Sequence, residues 1–318
     1  MRTIALLDPS IASPNLGDQI IMDSVRKELH AIFPDSLFIH IQTQDKISKP
    51  SHKIINRSHH SFVGGTNLLS SNMNSYNQWK VGLLDALSIS DIILMGVGWW
   101  QYQDNPNSFT RLLLRRLLHK SVLHSIRDSY TEQKLRAIGM DNVLNTGCPT
   151  MWSLTEEHCA SIPTMKQSGV LVTFTEYNQD RASDLETLKL LGSQYSTIFY
   201  WPQNSEDYAY MEALRKDIPV AYISPSLPAL DDFLKNNEVD YIGTRLHAGI
   251  RAIQHKKRSL VIAIDNRARE ISQDTNLPVV ARGDISSISA WIKSISSTNI
   301  TLKTKNIDAW KSQFVRHG

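Results

Sequence analysis

The stretch DYIGTRLHAGIRAIQHKK, residues 240–257, starts as a short apolar β-run and turns at Gly243–Thr244 into a helical pattern. A strand that feeds directly into a helix is half of a parallel βαβ unit, so this stretch points to an α/β fold. It also sets Arg245 and His247 two residues apart at the start of the helix, where backbone N–H groups lack intrahelical partners. A surface arginine beside a packed histidine accounts for the pattern. So does a site for a small dianion, since a helix N-terminus and a guanidinium both favour negative charge.

Working outward, the same succession repeats almost from end to end. Strands are expected near residues 3–8, 36–42, 60–63, 91–96, 121–126 and 142–146, then near 169–174, 197–201, 219–223, 239–243 and 259–264, with a weaker one at 278–281. Helical patterns lie between most of them. In GDQIIMDSVRKELHAIF, Ile20, Ile21, Val25, Leu29 and Ile32 form one stripe while Lys27 and Glu28 stay wet. From about residue 155 to 168 the periodicity breaks at TEEHCASIPTMKQS, and a fresh strand, GVLVTF, follows. The expected organisation is therefore two doubly wound, Rossmann-like α/β domains, 1–160 and 161–300, with a last helix in 301–318 (NIDAWKSQFVRH) that could pack back on the first. Open α/β sheets bind ligands beyond the carboxyl ends of their strands, which places the expected site in a cleft that the two domains face.

Bulk properties narrow the partners. The 318 residues carry 34 Lys and Arg against 31 Asp and Glu, a net charge of +3 with no long basic tract, so nucleic acid is not an expected partner. The longest apolar runs, such as DIILMGVGWW and SLVIAID, are far shorter than a membrane span, and the first residues lack a cleavable leader pattern, so a cytoplasmic protein is expected. Two basic stretches, LLLRRLLHK at 112–120 and HKKR at 255–258, are candidates for peripheral contact with the inner face of an anionic membrane, although the first also reads as a buried leucine stripe with solvated charges. Cys148 and Cys159 give neither a zinc spacing nor a disulfide framework, and no metal constellation is seen.

Candidate contacts cluster after strands. Asn15, Gly17 and Asp18 follow the first, where a cap and a tight turn explain them as well as ligand contact does. Gly64 and Gly65, and then Trp99 and Trp100, follow the third and fourth; a tryptophan could offer a flat face to a sugar ring or simply fill the core. Arg127 ends the fifth strand, and Asp128 or Ser129 is expected to cap the helix that follows. Gln203 follows FYWP, and Arg267 lies in IDNRARE with surface ion pairing as the plainer reading. His247 could donate a proton near neutral pH, which a second arginine could not.

Taken together, NLGDQII, GGTNLL, IRDSYTEQKLRAIG, NTGCPTMWSL, VDYIGTRLHAGIRAI and IDNRAREI resemble, in order and over nearly the whole chain, the polysaccharide pyruvyl transferase family. The resemblance implies a glycosyltransferase-B-like pair of Rossmann-like domains, with 1–160 as the expected acceptor side and 161–300 as the expected donor side. It also implies transfer of the pyruvyl group of phosphoenolpyruvate onto two hydroxyls of a sugar or oligosaccharide acceptor, lipid-linked or otherwise, as a ketal in a cell-surface polysaccharide. No cofactor beyond that donor substrate is implied. Carried over by motif, Arg245, Leu246 and His247 would bind phosphoenolpyruvate, with Arg127 as a second cationic contact. His247, or more weakly Asp18, would handle protons. Where relatives carry a Tyr-and-Lys element this chain has IDNRAREI, with Arg269 as the available substitute. Two rival readings share the fold: a nucleotide-sugar-dependent glycosyltransferase, and a non-catalytic glycan-assembly protein.

Overall fold

The computed structural model describes residues 2–315; residues 316–318, the end of the expected closing helix, lie outside them. Six strands form a first parallel sheet: β1 (Arg2–Asp8), β2 (Ser36–Gln42), β3 (His60–Gly64), β4 (Ile92–Val97), β5 (His124–Ile126) and β6 (Val143–Asn145), in the order β2-β1-β3-β4-β5-β6. Six more form a second: β7 (Gly169–Thr173), β8 (Thr197–Tyr200), β9 (Ala221–Tyr222), β10 (Val239–Gly243), β11 (Ser259–Ala263) and β12 (Val279–Ala281), in the order β12-β11-β10-β7-β8-β9. Each strand falls where the apolar runs place it, and the second order is that of a Rossmann sheet, reversing direction between β7 and β10.

Strand periodicity explains how each first-unit strand serves two layers. Ile4 and Leu6 enter one core with Phe62, Ile93 and Met95, whereas Ala5 and Leu7 enter another with Val63, Leu94 and Val97. Successive side chains leave opposite faces, so a sheet covered on both sides needs near-continuous apolar strands. The helix Leu16–Ile32 buries Ile20, Ile21, Met22, Val25 and Leu29, so Met22 joins the expected stripe while its last member, Ile32, is only partly buried.

Residues 2–13, 21–152 and 302–315 form one compact unit, and residues 14–20 and 153–301 a second. The division falls at Trp152–Ser153 instead of near residue 160 because side chains on either side have different partners. Trp152 packs against Trp310 in the first unit's core, while His158 hydrogen-bonds through Nε2 to the Ile253 carbonyl (2.8 Å) in the second. The helix Thr304–Ser312 supplies Ile307 and Trp310 to that first core. Residues 14–20 count with the second unit, where the Leu16 N–H donates to the Gln203 carbonyl (3.1 Å). Among the described residues, no helix is long and apolar enough to cross a membrane.

The two basic stretches have different fates. In the helix Ser108–Leu117, Leu113, Leu114 and Leu117 are buried while Arg111, Arg115 and Arg116 are exposed. The second stretch is only partly a surface cluster: Lys257 and Arg258 are buried and pair with Glu238 (3.4 Å) and Asp240 (3.0 Å), and His255 reaches Asp231 (3.1 Å), while Lys256 is exposed.

Gly96 makes the chain's tightest demand on local conformation. Its φ is +69°, and an added Cβ would lie 2.1 Å from Pro149 Cδ. Gly96→Ala is expected to cost about 3 kcal/mol, the combined scale of left-handed strain and overpacking, read as a lower urea midpoint at unchanged slope.

Candidate active site

At the reversal between β7 and β10, the chain leaves β10 and starts the helix Leu246–Gln254 with Arg245 at its N-cap. Local packing fixes this turn. Gly243 sits opposite Thr173, where a Cβ would come within 2.5 Å of Thr173 Oγ1. The Tyr241 hydroxyl donates to the Arg245 carbonyl (2.7 Å) and lies 2.6 Å from Thr173 Oγ1. The Arg245 backbone is thus held from beneath, and its side chain makes no cap of its own.

The Arg245 guanidinium is 5 % exposed and meets two carboxylates through Nη2: Glu176 Oε2 at 2.6 Å and Asp207 Oδ1 at 2.5 Å. Its Cζ lies 5.1 Å from the centre of the Tyr177 ring, and its Nε is buried with no hydrogen-bond partner. Asp207 also accepts from the backbone N–H groups of Glu176 (3.0 Å) and Gln203 (3.1 Å), and Asn204 Nδ2 donates to Glu176 Oε1 (2.7 Å). One cation therefore stands among two acids, with one donor still unsatisfied. A buried donor of this kind is costly unless a further acceptor completes it.

The two acids do not behave alike. Burial raises the Asp207 carboxyl, hydrogen bonding with Glu176 raises it further, and Arg245 only partly offsets both, so it is pushed up to about 7. For Glu176, burial also acts upward but is outweighed by the bond with Asp207, the charge of Arg245 and the Asn204 amide, which hold it down at about 2. Asp207 can therefore carry a proton near neutrality, leaving one carboxylate against one guanidinium.

That asymmetry has a pH signature. Asp207 is raised in the folded state, so folding takes up a proton between its ordinary value of 3.8 and about 7, and its contribution to stability falls as pH rises through that window. Glu176 is depressed, so its contribution is present above its ordinary 4.5 and lost as pH falls toward 2. Asp207→Asn is expected to flatten the decline of stability between pH 5 and pH 8, followed by denaturant titration at both values. An unchanged slope would show that another group sets it.

Several sequence candidates gather around this cluster. The Gly17 N–H donates to Asn15 Oδ1 (3.0 Å), and a Cβ on Gly17 would stand 3.1 Å from both Asn15 Oδ1 and Gln203 Oε1. Asp18 is buried to 7 % exposure in the first turn of its helix. Gln203 is buried, and its Nε2 has no partner. The helix that follows is capped by Asn204, whose Oδ1 accepts from the Asp207 N–H (2.7 Å). Leu246 and His247 are buried in the first turn after Arg245. Arg267 pairs with Asp265 (2.5 Å) and donates to the Tyr177 hydroxyl (2.5 Å), so the Tyr177 ring links it to Arg245; Arg269 is exposed.

The first-unit candidates serve packing. Gly64 faces Met22, and Gly65 lies against the Gly96 backbone. Trp99 is fully buried and donates its indole N–H to Gln103 Oε1 (3.1 Å), so it presents no face to a sugar; Trp100 is partly exposed and stacks on Tyr76 at 3.6 Å. Arg127 is 1 % exposed and covered by Gly98, whose Cβ would fall 2.1 Å from Arg127 Cζ. It donates to Asp128 Oδ2 (2.9 Å) and Asn67 Oδ1 (2.6 Å), while Asp128 Oδ1 caps the next helix at the Thr131 N–H (2.8 Å). Arg127 thus braces the Asp128 cap, and its buried Nη2, 2.9 Å from Asp128 Oδ2 as an ion pair, makes no hydrogen bond.

Sequence reasoning missed Glu176, Tyr177 and the role of Asp207. The available signals were an acid closely following the strand GVLVTF and the spacing of Asn204 to Asp207, an ordinary cap pattern. Among the described residues, no three His, Cys, Asp or Glu side chains are placed to hold a metal ion. Cys148 and Cys159 are both buried, and Cys148 Sγ accepts from the Thr150 hydroxyl (3.0 Å).

A family model described as polysaccharide pyruvyl transferase matches residues 15–266. Among solved structures, the chain is similar to UDP-GlcNAc 2-epimerase of Methanocaldococcus jannaschii in complex with UDP-GlcNAc and UDP: 11 % identity, TM-score 0.53, covering 94 % of this chain and 95 % of that one. It is also similar to S. aureus MnaA in a UDP co-structure: 13 % identity, TM-score 0.50, covering 93 % and 91 %. At such identities the likeness is one of fold, and the fold is glycosyltransferase-B-like. A search of curated proteins found no match.

Proposed function

Because the chain belongs to the polysaccharide pyruvyl transferase family, we propose that it transfers the pyruvyl group of phosphoenolpyruvate to two hydroxyls of a sugar in a polysaccharide or its precursor. The observation that carries this reading is Arg245: a buried guanidinium at the sheet's reversal point, at a helix N-cap, with an unpartnered Nε and with His247 in the following turn. Phosphoenolpyruvate bears a carboxylate and a phosphate, and a guanidinium with adjoining helix N–H groups matches either.

The chemistry assigns the protons. Protonation of the donor's methylene carbon makes the neighbouring carbon electrophilic, and a sugar hydroxyl adds there as it loses its own proton. Phosphate then leaves with the bonding pair of the C–O bond. The second hydroxyl closes the ketal, and its proton is balanced by the departing phosphate. His247 serves as the acid toward the methylene or the phosphate, with Asp207 as the nearby reserve of protons near neutral pH. Asp18 orients or deprotonates the sugar hydroxyl. Arg127 supports the first unit's strand end without touching the donor.

The test is thermal stability of the purified protein against increasing phosphoenolpyruvate, with UDP-sugars as the comparison. A ligand that binds only the folded state stabilises it by about 2.7 kcal/mol at a hundredfold excess over its dissociation constant. A saturable rise with phosphoenolpyruvate, and phosphate release once a polysaccharide acceptor is added, is the expected result. A rise with UDP-sugars alone would replace this reading with glycosyl transfer.

A further inference from the structure

Beyond the carboxyl ends of β8 and β9 the second unit contains a cavity of about 450 Å³, within the usual range of small-molecule sites. None of its lining residues carries a formal charge. Pro14 and Leu16 come from the segment 14–17, Gln203 from the turn after β8, Tyr208 from the helix Ser205–Arg215, Tyr222 from the end of β9 and Ser224 from just beyond it. Tyr208 is 49 % exposed, and its ring centre lies 4.8 Å from that of Tyr222. The Tyr222 hydroxyl is committed to Glu212 Oε1 (2.5 Å), which leaves its ring as a fixed apolar surface. Gln203 is 2 % exposed, and its amide nitrogen is buried without a partner.

These features select a ligand chemistry. A phosphate, a carboxylate or a nucleoside diphosphate would find no cation among the lining residues, and a purely apolar ligand would cover the hydroxyls that Ser205 and Ser224 bring to the lining. A pyranose has what the cavity lacks. Its C–H face covers an aromatic ring, and its hydroxyls pair with those of serine. The same short piece of chain also serves the Arg245 cluster: the Gln203 N–H donates to Asp207, and Asn204, another lining residue, donates to Glu176.

We propose that this cavity seats a neutral pyranose ring of the acceptor, with the ring face on Tyr208 and its hydroxyls meeting the polar lining residues Ser205 and Ser224. Calling that ring the acceptor rests on the pyruvyl-transfer reading; the neutral-sugar chemistry of the cavity does not.

Saturation-transfer NMR on the full chain tests it, using methyl β-galactopyranoside, methyl β-glucopyranoside and a methyl N-acetylmannosaminide as probes and uridine as a neutral, stacking comparison. Transfer to the ring protons of at least one glycoside is expected, falling roughly threefold or more in Tyr208→Ala, the size expected from losing an aromatic contact. The substituted side chain is half exposed, so the variant should fold; an unchanged thermal midpoint checks this. No transfer to any glycoside, transfer undiminished in Tyr208→Ala, or transfer to uridine alone would overturn the proposal. The phosphoenolpyruvate-dependent rise in melting temperature is measured on the same samples. Its absence beside a Tyr208-dependent glycoside signal would remove the pyruvyl-transfer reading and leave the sugar site standing. Its presence without a glycoside signal would do the reverse.

Discussion

Arg245→Ala will abolish the phosphoenolpyruvate-dependent rise in thermal stability and lower kcat/KM for pyruvyl transfer by about 10²–10³-fold, the scale of deleting one charge-stabilising donor from a water-poor site. The same change leaves Glu176 and Asp207 buried without their shared cation. A broken buried pair costs about 3–5 kcal/mol, so the ligand-free protein should also melt earlier. The two effects separate by pH. Arg245 holds the Asp207 carboxyl down to about 7, so without it Asp207 takes up its proton at a higher pH, and the stability loss should shrink as pH is lowered while the loss of donor binding persists. Arg245→Lys keeps the charge but not the planar fork, and is expected to restore stability better than turnover. Undiminished stabilisation by phosphoenolpyruvate in Arg245→Ala would remove Arg245 from the donor site.

The second large effect is structural and lies on the other side of β10. Arg258 and Asp240 are 1 % and 0 % exposed and pair at 3.0 Å. Arg258 also donates to the carbonyls of Trp291 and Ser294 and stacks over the Trp291 ring at 3.8 Å, while the Tyr195 hydroxyl donates to Asp240 Oδ2 (2.7 Å). Arg258→Met should cost about 3–5 kcal/mol in denaturant unfolding, because it strands a carboxylate that burial already pushes upward. The double variant Arg258→Met with Asp240→Leu should recover much of that loss, since neither charge then remains to be desolvated. A double variant as unstable as the single one would assign the cost to lost packing on Trp291.

Comparing the two arginines shows what local sequence can carry. Both lie within 240–258, and both look like surface cations there. Each is buried against acids or carbonyls 18–69 positions away in the chain. Nothing in the spacing of the quoted stretch encodes those partners, because ion pairing across a sheet depends on which strands become neighbours. Asp128 is the opposite case: its capping bond reaches only three residues along the chain, and the local pattern reads it correctly.

What the sequence determined by itself is therefore whatever depends on short-range geometry: the alternation of strands and helices, the positions of the strands, the apolar stripe of the first helix, the Asp128 cap, and the placement of Arg245 and His247 at a strand-to-helix turn. What only the tertiary structure decided is strand order and its consequences. With β7 beside β10, Glu176 and Asp207 close on Arg245. Pro14 and Leu16 join Gln203 among the residues that line a cavity, Trp99 and Arg127 withdraw from solvent, and Lys257 and Arg258 turn inward. The periodicity of side chains is set within a few residues by backbone geometry, whereas the charge balance and burial of a site are set by neighbours brought together from across the sheet.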